Sequence, residues 1–113
     1  MKKYYAVKEN DKKVTDIKVE VYYSLGGMNM FTYVKEKRGY YLSVSPVERS
    51  EGPGYSSEGF VPFSGTKWLL LEVKRKSAKA ETEAINWAKT VMERCINYVL
   101  KKNSLELKEA FAA

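Results

Sequence analysis

Residues 77–102, SAKAETEAINWAKTVMERCINYVLKK, are the stretch whose reading decides the fold. Ala84, Ile85, Ala88, Val91, Met92, Cys95, Ile96 and Val99 recur at three- and four-residue intervals, the phase of a helix with one apolar stripe. Ser77 stands where an N-cap belongs, since its hydroxyl can accept an orphan N–H of the first turn. From about Ala78 to Lys102 such a helix would be ~37 Å long at 1.5 Å per residue, longer than any upstream strand, so its stripe can cover a whole sheet. Asn103-Ser104 offers a stop, and residues 103–113 form a short amphipathic tail.

Upstream the period changes to two. Ile17, Val19, Val21 and Tyr23 alternate with Lys18, Glu20 and Tyr22, the pattern of a half-buried strand over 16–25. Gly26-Gly27 reads as a hairpin turn leading into a partner strand from Met28 to about Lys35. Lys35-Glu36-Lys37-Arg38-Gly39 reads as a second turn, after which Tyr40 to Val47 resumes alternation until Pro46 ends the strand or sets it near an edge. Residues 48–66 read as loop, with a short strand possible at Phe60-Val61-Pro62-Phe63. Trp68 to Val73 is a strongly apolar strand, expected to be central, and Lys3 to Lys8 offers one more. The expected fold is α+β: an antiparallel meander of four to five strands over about 3–74, followed by one long C-terminal helix packed on one face. All of 1–113 forms a single domain, because a chain this short cannot build two cores.

Composition narrows the chemistry. Hydrophobic residues at 44% and charged residues at 30% are ordinary globular usage, which argues against a disordered or collagenous chain. No apolar run reaches the length of a membrane span, and the start lacks the apolar stretch of a signal peptide, so a cytoplasmic chain with no membrane partner is expected. The chain has no histidine, which removes the usual general base, the Ser-His and Cys-His couples and the commonest zinc ligand. Ser50, Ser56 and Ser57 stand near Glu48, Glu51 and Glu58, but nothing is placed to activate a serine, and no phosphate loop or calcium-ligand spacing occurs. No enzymatic role, metal or cofactor is therefore expected. Cys95, the only cysteine, falls inside the helical stripe, where it fits as a small buried hydrophobe.

The charge is +6, from 20 lysines and arginines against 14 acidic residues, a balance that attracts polyanions. In a four-stranded meander, Lys35, Lys37 and Arg38 in the second turn and Lys74, Arg75 and Lys76 after the last strand fall at the same end of the sheet. They would merge into one basic patch beside the positive end of the helix, a setting suited to phosphate. A fifth strand at 60–63 would reverse that parity and part the clusters. Phe31, Tyr33 and Tyr41, joined by Tyr22, can share the sheet face away from the helix. Bases stack on such rings beside cations, although aromatic cross-strand pairs also serve simply to pack a sheet. A face with these rings also invites a second copy, hence a homodimer.

The order of antiparallel strands then one long helix, with Lys37-Arg38-Gly39-Tyr40-Tyr41-Leu42-Ser43-Val44 followed by Glu48-Arg49-Ser50-Glu51-Gly52, resembles one repeat of the PUR-alpha family and its PC4-like and Whirly relatives. The likeness spans roughly residues 17–102 and implies a ββββα unit that dimerises and binds single-stranded DNA or RNA across its sheet. The stretch from Arg38 to Val47 also resembles small uncharacterised proteins of bacterial mobile elements and phages, which implies no activity. Two classes of function follow. One is a nucleic-acid-binding module using Tyr33, Lys35, Lys37, Arg38, Tyr41, Lys74 and Arg75. The other is a protein-binding or inhibitory factor of a mobile element, working through the 48–66 loop and the tail.

Overall fold

The structure, a computed structural model, describes residues 1–8, 14–28, 33–52, 55–59 and 65–108, with the backbone alone for 51–52 and 55–57. Its elements in chain order are β1 (Lys2–Ala6), β2 (Asp16–Ser24), β3 (Gly27–Met28), β4 (Lys35–Glu36), β5 (Gly39–Gly52), β6 (Tyr55–Gly59), β7 (Thr66–Glu72) and α1 (Ala78–Lys102). The α+β architecture follows the sequence pattern: one antiparallel five-stranded sheet carries the C-terminal helix on one face.

The alternation of β2 meets an equal alternation in β5, so their apolar residues pair directly: Val19 opposite Val44, Val21 opposite Leu42, Tyr23 opposite Tyr40. These strands form the centre of the sheet, with β1 outside β2. Ile17, Val19, Tyr40, Leu42 and Val44 are all but sealed from solvent, as are Ala84, Ala88, Ile96 and Val99 on the helix. Burying each of the larger side chains contributes about 1.5–3 kcal/mol, and the two alanines let the helix lie close. Ser77 caps α1 by accepting from the Ala80 N–H at 3.1 Å. At the far end the Leu105 N–H donates to the Leu100 carbonyl at 2.8 Å.

Several strand expectations are corrected. The partner of β2 is β5, not a strand over 28–35; β3 and β4 instead form a separate two-stranded sheet between them. Gly39, at φ +157, starts β5 so close to β7 that a Cβ there would meet the Leu71 carbonyl oxygen at 2.1 Å. β5 then runs through Pro46 to Gly52. Pro46 lies past the last pair with β7, Val44 with Thr66, and before the first pair with β6, Glu48 with Gly59. A residue without an N–H is tolerated where only β2 runs alongside. The second half of β5 and β6 form a hairpin where the sequence reads as loop. The possible strand at 60–63 lies outside the described residues. β7 is an edge strand, not a central one: among the described residues it pairs only with β5, and a bulge interrupts that pairing at Tyr40/Tyr41. The start of the tail is extended, with Val7 bridged to Leu107 and the Lys108 N–H donating to the Ala6 carbonyl at 2.8 Å.

Candidate nucleic-acid interface

Antiparallel pairing of Gly39 with Glu72 sets the start of β5 beside the end of β7. The residues just before one and just after the other are the two basic clusters. The geometry therefore brings Lys35, Lys37 and Arg38 to the same end as Lys74, Arg75 and Lys76, and all six are exposed. β6 does not disturb this parity, because β6 and β7 both run antiparallel to β5.

The clusters are tied together through backbone atoms. The Val73 N–H donates to the Arg38 carbonyl at 3.2 Å. The Arg38 guanidinium donates from Nε to the Leu25 carbonyl at 3.0 Å and from Nη1 to the Lys74 carbonyl at 3.5 Å, so one side chain spans three segments. The Tyr23 hydroxyl also donates to the Lys74 carbonyl at 3.3 Å. One turn further on, the Tyr40 hydroxyl donates to the Ser77 carbonyl at 3.2 Å and accepts the Ser77 N–H at 3.3 Å. These ties hold residues 73–77 against β2 and β5 and place the first turn of α1 beside the cations.

Two carboxylates temper the charge. Lys37 Nζ lies 3.6 Å from Glu72, an exposed pair of little energetic weight. Glu36 pairs with Lys67, and the hydrogen-bonded carboxylate holds the Lys67 ammonium above its ordinary pKa. A depression of about 760 Å³ lies among Leu25, Gly26, Lys35, Lys37, Arg38 and Glu72.

The aromatic expectation divides. Tyr41 is on the face away from the helix, as alternation requires, yet it is only 7% exposed. Its ring stacks on Tyr22 with centroids 5.9 Å apart, Lys67 Nζ lies 5.6 Å above it, and its hydroxyl donates to the Lys37 carbonyl at 2.7 Å. Burial pushes the Tyr22 hydroxyl above its ordinary pKa. A base cannot stack on Tyr41 without displacing Lys67, so this ring is a packing residue that supports the Lys37 backbone. Tyr33 is 81% exposed, at φ +56, and stands outside any strand. Phe31 lies outside the described residues.

Sequence reasoning missed Lys67, Trp87 and Tyr98. Lys67 gave no signal, because its contact with Tyr41 exists only once β7 is laid against β5. Trp87 and Tyr98 had one: both fall out of phase with the Ala84-Ala88-Met92 stripe, which puts large aromatic rings on an open flank of α1. No helix of the described part is long and apolar enough to cross a membrane. Comparison with known proteins gives no matching family model, no matching curated relative and no matching solved structure.

Proposed function

We propose that the basic end of the sheet binds the phosphate backbone of single-stranded nucleic acid, as a non-enzymatic module. The observation that carries this reading is the junction at Arg38, where cations distant in sequence meet beside the start of α1. Lys35 and Lys37 approach a phosphate from one side, Lys74, Arg75 and Lys76 from the other, and the positive end of the helix dipole adds to their field. A flexible strand can follow the depression between the turns, and Tyr33 offers an open ring on which a base can stack. Tyr41 acts beneath the site by holding the Lys37 carbonyl.

The test is fluorescence anisotropy with labelled single- and double-stranded oligonucleotides at several salt concentrations. Lys37→Ala combined with Arg75→Ala takes one cation from each cluster while leaving Arg38 to tie the segments. Each lost phosphate contact should flatten the slope of log affinity against log salt by ~0.7 for single strands. If no oligonucleotide binds below about 100 μM at moderate salt, the weak limit of non-specific binding, the basic end is only a solvated surface.

A further inference from the structure

Two groups of large apolar side chains lie open to solvent. Leu25, Met28, Tyr33 and Val34 surround the β3–β4 turns, next to residues 29–32, which lie outside those described. The other group is fully described: Trp87, 56% exposed, and Tyr98, 54% exposed, along the flank of α1 that overhangs β7. Two depressions, of about 850 and about 340 Å³, run end to end along this flank and share Leu70 and Trp87. Their outer wall is β7, whose far edge has no partner strand among the described residues.

The helix side of the groove has a direction. Glu83, Trp87, Thr90 and Arg94 line it, spaced four, three and four residues apart, the repeat of a helix–helix seam. The acid stands toward the N-terminus and the base toward the C-terminus, with a large ring and a small hydroxyl between them. Laid against a parallel copy of itself, this stripe sets like charge on like charge. Laid antiparallel about an axis between Trp87 and Thr90, it sets Glu83 opposite Arg94 of the second copy and Trp87 opposite Thr90 of the second copy, each twice. In the same register Lys79 faces the ring of Tyr98 of the second copy, a cation–π arrangement.

We propose that a second copy of this chain covers the groove, α1 against α1 in antiparallel register, as an isologous dimer. The stripe is complementary to its own reverse in charge and in size, which an unrelated occupant would not require. The dimer thus uses the helix flank rather than the opposite sheet face, where Lys67 and Tyr22 already pack on Tyr41. It uses none of the cations Lys35, Lys37, Arg38, Lys74, Arg75 and Lys76 and stands whether or not the basic end binds nucleic acid.

The experiment is sedimentation equilibrium on the full chain, from low-micromolar to near-millimolar concentration, expecting twice the 13.0 kDa chain mass. Glu83→Arg alone and Arg94→Glu alone each place like charges opposite one another and should weaken association by about tenfold or more. The double variant E83R/R94E restores opposite charges and should recover most of it. Both positions are exposed, and unchanged circular dichroism will show that the single variants fold. A monomer at every concentration, single reversals without effect, or a double reversal no better than either single one, overturns the proposal.

Discussion

Tyr41 shows how one residue's role depends on what covers it. That its side chain lies on the other sheet face from Tyr40 and Leu42 is legible from alternation alone, and the structure agrees, pairing it with Tyr22. Its burial is not legible, because Lys67 arrives from a strand more than twenty residues away. Since the ring is packed between Tyr22 and Lys67, Tyr41→Ala should lower the unfolding free energy by about 3 kcal/mol in denaturant titrations, the range for a large side chain removed from a packed site. Tyr41→Phe removes only the hydrogen bond to the Lys37 carbonyl and should cost about 1 kcal/mol. Equal stability of wild type and Tyr41→Ala would show that the ring is not packed.

Among the elements, α1 was the most legible, since twenty-five residues in one phase leave little alternative. Met92 is buried beneath it, with the Tyr5 hydroxyl 3.3 Å from its sulfur. Met92→Asp should therefore leave the chain unfolded by circular dichroism, because it buries a charge with no cationic partner. Val91 is a weaker site, since it lies partly open toward the groove. The β5–β6 hairpin was illegible because its serines, glycines and glutamates carry no apolar alternation. Its ties are polar: Glu58 accepts from the Tyr4 hydroxyl and from Lys18 Nζ at 2.9 Å, while the Arg49 guanidinium lies 4.3 Å above the Tyr4 ring. Those hydrogen bonds, from Tyr4 first and then Lys18, hold the Glu58 carboxyl below the ordinary glutamate value of 4.5. A depressed carboxylate adds stability that is present above its unfolded value and lost as pH falls through the folded one. The stability difference between wild type and Glu58→Gln, measured by denaturant titration, should thus shrink as pH drops below 4.5, and a difference constant with pH would remove the ionic role.

For the whole molecule, the helix flank contains none of the six clustered cations of the basic end, so their perturbations should separate. Lys37→Ala with Arg75→Ala should leave the sedimentation behaviour of the chain unchanged while altering oligonucleotide anisotropy; a loss of association in that variant would show the two surfaces to be coupled. The sequence by itself determined the class of the fold, the helix with its buried stripe and its cap, and the two faces of β2 and β5. These are local properties, set by side-chain period and by the hydrogen bonds that a backbone segment can satisfy on its own. Tertiary structure alone decided which strand pairs with which: that β5 and not 28–35 lies beside β2, that β7 is an edge, and that Arg38 meets Lys74. Strand pairing joins residues far apart in the chain, and its register is chosen by the fit of whole apolar faces, which no short window of sequence contains.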